Sequence, residues 1–194
     1  MGHVIPLVGD YVVREVSAEE FDSIFKELRP QIFGDIIEFP FWSIASDEAC
    51  AAHERLKEPL RDRLRLCFVV CQGDRVVGWT CGVQETSERY AMSNSGVLPE
   101  HRGRGIYSAL LRMLLERLRG EGFQVVTSHH HPNNRAVLVP KLRAGFLITG
   151  MEISEIFGLL VNLSYFFDER RREAFEFRTG WRRPGEVVRD ALRL

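Results

Sequence analysis

Apolar runs rich in β-branched residues take turns along the chain with stretches whose apolar positions recur three and four residues apart. The first pattern predicts strands and the second helices. Tyr11, Val12, Val13 and Val16 predict a strand. Ser17 and Glu20 stand at capping-box spacing, so a helix is expected from Ser17, with Phe21, Ile24, Phe25 and Leu28 on its apolar face and Pro30 at its end. Ser46, Asp47 and Glu48 open a second helix that runs toward Pro59. Residues 64–71 and 75–81 are apolar runs joined by Gly73 and Asp74, which predicts a hairpin. Residues 90–98 predict a further strand with a polar centre at Ser93, Asn94 and Ser95. Ile106, Leu110, Met113, Leu114 and Leu118 form the stripe of an amphipathic helix that Gly120 and Gly122 stop. Residues 123–127 predict a strand. Asn134 starts a helix toward Gly145 that Pro140 should kink or shorten. Residues 146–153 and 157–166 form a last strand pair, before an Arg-rich helix capped by Asp168 and a short final helix. No internal repeat or low-complexity linker interrupts the order.

The 194 residues carry 45% hydrophobic and 27% charged side chains, which suits a globular chain with a real core. Lys plus Arg number 26 against 27 for Asp plus Glu, and a formal net charge of -1 speaks against a nucleic-acid partner. Cys50, Cys67, Cys71 and Cys81 include no C-x-x-C pair, and Cys67 and Cys71 lie within an apolar run, so buried reduced thiols are expected. No stretch approaches the ~20 apolar residues of a membrane span, and the first residues lack a basic segment followed by an apolar one. A cytoplasmic protein with no membrane partner is expected.

Chemistry concentrates between Gly96 and Leu111, where a strand ends, a glycine turn follows and an amphipathic helix begins. Gly103 and Gly105 let the backbone turn several N–H groups toward one point, and the helix start adds unpaired donors and a partial positive charge. Arg102 and Arg104 add positive charge. The combination suits a phosphate group. It is not a P-loop, because no Gly-Lys pair exists. It is not a dinucleotide fingerprint either: the third glycine position holds Ser108, and no acidic residue closes the strand at Val125 and Val126.

The stretch resembles the signature of the GNAT superfamily, the acetyl-CoA-dependent N-acyltransferases: Q/R-x-x-G-x-G/A after Val-x-Pro-Glu. Arg102 and Gly105 match, Val97, Pro99 and Glu100 fit the lead-in, and Asn134 with Gly145 and Phe146 has the spacing of a second family feature. The resemblance covers roughly residues 10–167. It implies an α/β (α+β) chain with the GNAT fold, a mixed central sheet of about seven strands flanked by helices. Residues 1–167 would form the acyltransferase domain and 168–194 a C-terminal helical extension. By resemblance, Val97 and Leu98 would pair with the pantetheine arm of acetyl-CoA, the co-substrate. Amides of Gly103, Arg104, Gly105, Ile106, Tyr107 and Ser108 would cradle the pyrophosphate next to Arg102, and Asn134 would contact the coenzyme from the other side. The implied reaction moves an acetyl group to a small-molecule amine or peptide acceptor by direct attack on the thioester.

Three positions depart from the family pattern. Tyr107 stands where Gly or Ala is usual, and its ring should point away from the first helical turn. Lys141 stands where many members carry the Tyr that protonates the leaving thiolate, and it is either that acid or a solvated helix lysine. The strand 90–98 has no carboxylate base. An alkylamine with a pKa near ~10.4 is neutral in only roughly one molecule in a few thousand at pH 7, so something must take its proton. Glu85, Tyr90, Glu38 or a water chain along Ser93 and Ser95 are the candidates. The departures leave a second reading, a catalytically weak CoA-binding sensor or interaction module. The aromatic loop of Phe33, Phe39, Phe41 and Trp42, with Asp35 and Glu38, either lines a pocket for a cationic amine or packs under itself. His129, His130 and His131 cannot all turn to one ion from a strand, so no metal is expected, though one of them could edge the acceptor pocket or relay a proton. Phe175, Phe177 and Trp181 should make the extension dock, on its own domain or in a homodimer.

Overall fold

The computed structural model describes residues 4–34 and 39–193. Among these residues eight strands form one sheet in the order β1-β2-β3-β4-β5-β6-β8-β7. β1 (Val4–Val8) and β2 (Tyr11–Glu15) make the first hairpin. After α1 (Ala18–Phe33), α2 (Phe41–Ile44) and α3 (Asp47–Lys57), the chain adds β3 (Arg65–Gln72), β4 (Arg75–Gln84) and β5 (Arg89–Val97) as an antiparallel meander. α4 (Ile106–Gly120) crosses to β6 (Val125–His130), which runs parallel to β5. α5 (Arg135–Arg143) precedes the hairpin of β7 (Leu147–Ser154) and β8 (Gly158–Phe166), and β8 inserts between β6 and β7. α6 (Glu169–Arg178) and α7 (Glu186–Leu192) follow.

The mixed sheet flanked by helices agrees with the expected class, with eight strands in place of seven. The additional strand is β1, whose Pro6 masks the apolar pattern. Proline is tolerated there because β1 is an edge strand that pairs only with β2. Pro30 does not end α1. The helix runs one turn further because Ile32 is buried against Gly96 and Phe33 packs on Trp79, with ring centroids 6.2 Å apart. The Ser17 and Ser46 hydroxyls accept the amides of Glu20 and Ala49, the expected caps.

Helices cover both faces. α1 places Phe25 and Phe33 on Trp79 of β4, while α4 buries Leu110, Leu111, Leu114 and Leu118 on the other side, with α5 beside it. The thiols of Cys67, Cys71 and Cys81 are buried and unpaired, and burial pushes the Cys81 thiol up to about 12. The C-terminal helices dock on their own chain. Arg171 makes a two-pronged ion pair with Glu88, both bonds 2.8 Å; Arg172 donates to Gly145 O, and Phe175 packs on Phe166. The Glu173 carboxylate accepts the Gly185 amide, and Val188 is buried.

Candidate functional site

β5 and β6 hold together only as far as the pair Met92–Ser128. β5 continues to Val97 along β4, and β6 continues to His130 along β8, so the sheet opens between them. An irregularity in the pairing of β5 with β4, between Met92 and Asn94, sits at this point. The parted strands leave one edge of residues 93–97 unpaired by any strand, and the glycine turn stands at the end of that edge.

The turn has the backbone geometry that the sequence suggests. Gly103 has φ 74° and Gly105 φ 77°, a region that side-chain-bearing residues rarely adopt. The first backbone bond of α4 runs from Ala109 N to Gly105 O. Among the described residues, no backbone acceptor takes the N–H groups of Gly103, Arg104, Gly105, Ile106, Tyr107 or Ser108. Gly103, Arg104, Gly105 and Ser108 are exposed, whereas the Ile106 side chain anchors the turn in the core. The donors are therefore fixed in place and open.

The two arginines beside the turn are held by the protein itself. Arg102 donates from Nε to Val97 O (2.9 Å) and from NH2 to Ile32 O (2.8 Å), tying the end of β5 to the end of α1. Arg104 reaches Tyr11 Oη and Glu100 O, both at 3.3 Å. Their charge remains near the turn, but their guanidinium groups brace it. Leu98 is a correction: its side chain is buried, its N–H donates to Val77 O, and its C=O accepts from His101 N, so it has no N–H left for a ligand. Asn134 precedes α5 without capping it through its side chain.

Tyr107 turns into the protein, as expected of a ring that leaves the turn clear. Its hydroxyl is buried without a hydrogen-bond partner, and burial raises its pKa. Lys141 corrects the picture of a solvated helix lysine. It is 0% exposed; its Nζ lies 3.2 Å from Met92 Sδ, its one hydrogen-bond partner here, and 4.9 Å from the Phe146 ring centre. Burial without an opposing charge lowers its pKa well below the ordinary value, which disfavours the charged form. Met92 is the last β5 residue paired to β6, so this amine sits where the sheet opens. The neighbouring His130 imidazole is pushed down to about 3, by burial first and then by Lys141. Tyr90 is a further correction. It is fully buried, packs on Phe123, and donates to Leu66 O at 3.4 Å, and burial raises its pKa. Gly82 lets its ring pass over β4. Tyr90 is a core residue with no path to an acceptor.

On the α1 side of the sheet, Trp79 Nε1 donates to Asn94 Oδ1 (2.8 Å). Exposed Glu85 accepts from Thr127 Oγ1 at 3.3 Å, beside the paired part of β5 and β6. Ser95 bonds Thr80 at 2.8 Å, while Ser93 is exposed. Asp35 and Glu38 lie outside the described residues. In the rest of the aromatic loop Phe41 packs on Trp42 and Trp42 stacks on His53, but Phe39 and Trp42 stay 48% and 43% exposed, so the rings are only partly packed away. His129 is a sequence candidate, but its partners are not: its Nδ1 lies 2.9 Å from Glu152 Oε1, and Glu152 Oε2 accepts from Asn162 Nδ2 at 3.1 Å. Only the order β6-β8-β7 brings these residues together.

A sheet that opens after a parallel pair, with a glycine turn of free amides at the opening, is an arrangement suited to an extended ligand that ends in an anionic group. The sequence profile of the Acetyltransferase (GNAT) family matches residues 22–146, and the chain belongs to that family as an acetyl-CoA-dependent acyltransferase. The fold is similar to the ribosomal-protein-S18-alanine N-acetyltransferase of Escherichia coli, with a TM-score of 0.59 at 13% identity over 81% of this chain and 94% of that one. A putative acetyltransferase of Salmonella typhimurium, solved with acetyl-CoA, gives 0.59 at 18% identity over 83% and 96%. A spermidine N-acetyltransferase of Vibrio cholerae gives 0.58 at 13% over 88% and 98%. No curated protein sequence matches the chain. Among the described residues no helix is long and apolar enough to cross a membrane.

Proposed function

We propose that the protein transfers an acetyl group from acetyl-CoA to an amine, and that the amine attacks the thioester directly. The observation that carries this reading is the run of six unpartnered amides from Gly103 to Ser108, beside the unpaired edge of β5 and the buried amine of Lys141. The amides receive the pyrophosphate, with the positive end of α4 behind them. The pantetheine arm lies along residues 93–97, with Val97 at its outer end, and Asn134 closes the far side. The thioester then reaches the opening near Met92. There Lys141 serves the leaving sulfur: as the C–S bond breaks, the negative charge that forms raises the proton affinity of Nζ, and a proton passes through it to the thiolate.

The small-molecule or peptide acceptor approaches from the α1 side, where Glu85, His129 and Glu152 make the surface suited to a cation. Acceptors of both kinds are named for similar folds, a ribosomal-protein alanine and spermidine. The test is a panel of amines, from polyamines to peptide N-termini, incubated with acetyl-CoA while free thiol is followed. Thiol release that depends on an amine supports the transferase. Tight coenzyme binding with no release from any amine refutes it.

A further inference from the structure

We infer that His129 is the base that takes the proton from the acceptor, with Glu152 and Asn162 as its positioning residues. The inference rests on the amine transfer proposed above and names the group which that reaction lacks.

The tautomer follows from the geometry. Asn162 and His129 hold the Glu152 carboxyl below its ordinary range, so it is ionised at neutral pH and can only accept hydrogen bonds. The ring nitrogen facing it, Nδ1 at 2.9 Å, must then carry the hydrogen. In the neutral ring this leaves the lone pair on Nε2. Three adjacent strands supply one residue each, His129 from β6, Asn162 from β8 and Glu152 from β7, so the ring is oriented by the sheet and not by a loop. Asn162 Oδ1 is buried and lacks a donor, which leaves an acceptor atom beside the carboxylate.

The position suits the task. His129 is the first β6 residue beyond the last pair with β5, so it borders the opening. Side chains alternate along β6, which sends Ser128 and His130 toward Lys141 and sends Thr127 and His129 to the opposite face. The His129 side chain is 43% exposed, so an acceptor can reach it. Of the charged and titratable groups around it, Glu85 beside Thr127 and Glu152 attract an ammonium ion. His130, pushed down to about 3, and Lys141, whose burial disfavours its charge, lie on the other face.

The protons balance. Nε2 takes one proton from the ammonium acceptor, and the freed lone pair attacks the carbonyl carbon. The C–N bond forms and the C–S bond breaks. The second proton shed by the nitrogen ends on the sulfur, and the imidazolium returns the first to water.

Two measurements test this. In the unliganded protein, nitrogen NMR of the His129 ring should show hydrogen on Nδ1, and Glu152→Gln should let the other tautomer appear. Hydrogen on Nε2 in the unmodified protein overturns the assignment. With an amine that the panel has shown to be acetylated, His129→Ala should lower kcat about 10²-fold at pH 7 and leave acetyl-CoA affinity unchanged. Its rate should recover about tenfold per pH unit as the acceptor loses its own proton, and added imidazole should restore part of it. A variant as fast as the unmodified protein overturns the base alone. Absence of thiol release from the unmodified protein with every amine overturns the transferase reading and the base with it.

Discussion

Lys141→Met should make the protein more stable and less active at once. The lysine is fully buried, its Nζ meets a thioether and the face of Phe146, and among the described residues no carboxylate stands against it. A buried polar group left without a good partner costs about 1–3 kcal/mol, and methionine fills nearly the same volume without that cost. For a chain of this length each kcal/mol corresponds to roughly 2–4 °C in Tm, so this cost alone predicts a rise of about 2–12 °C. A second cost depends on pH. The folded-state pKa of Lys141 is depressed, so the unfolded chain binds a proton that the folded one does not, and native stability rises with pH until the ordinary lysine value is reached. Each pH unit in that window is worth about 1.4 kcal/mol.

The advantage of the variant should therefore shrink as pH rises from 7 toward the ordinary lysine value. Other groups drop out of the comparison. His130, at about 3, is neutral across this range, and the buried thiols titrate alike in both proteins. Thermal unfolding by circular dichroism at several pH values, with each variant in the same buffers, gives the difference directly. A variant less stable than its parent, or a gap that does not change with pH, would refute the depressed pKa of the buried amine. In the transfer assay the same substitution should lower kcat about 10²-fold at unchanged acetyl-CoA affinity. Equal kcat would leave the burial of Lys141 as a packing feature alone.

Gly105→Glu should abolish acetyl-CoA binding, because it sets a carboxylate at the free amides. At φ 77° the side chain also costs about 1–2 kcal/mol in stability, and calorimetry showing unchanged affinity in the folded variant would remove the pyrophosphate from this turn. His130→Phe should reduce acid sensitivity: the folded pKa near 3 lies below the ordinary 6.5, so stability present above pH 6.5 is lost as pH falls toward 3. Urea titrations at pH 7 and pH 4.5 should show a smaller loss in the variant than in its parent, and equal losses would refute this. A chain ending at Phe167 should lose the two-pronged pair of Arg171 with Glu88 and expose Phe166, and so unfold at lower temperature or precipitate. An unchanged Tm in the soluble shortened chain would show that the extension adds nothing to the domain.

Where the chemistry is local, the chain was readable. The turn at Gly103 and Gly105 requires residues without side chains, the helix behind it has a clean apolar stripe, and Ser17, Ser46 and Asp168 cap helices within a few residues of themselves. What failed depends on partners far away in sequence. Pro30 is a reasonable helix stop until Ile32 finds Gly96 some sixty residues later and the extra turn is held by burial. Lys141 follows Pro140 on a short helix among Arg135 and Arg143, where a cation is by default solvated. It is interior because α5 lies over Met92, a contact spanning 49 residues. Tyr90 fails in the opposite direction: an ionisable group at the right place on a strand becomes core once alternation points it inward. The pair of His129 with Glu152 depends on β8 entering between β6 and β7, a strand order that no periodicity encodes. The anion turn is thus written into adjacent residues, whereas the proton-handling groups are assembled by the sheet. A substitution in the β7–β8 hairpin that shifts its register by one residue would turn Glu152 to the other face and leave the coenzyme turn intact. Coenzyme binding that survives while transfer is lost is the result this division of labour requires.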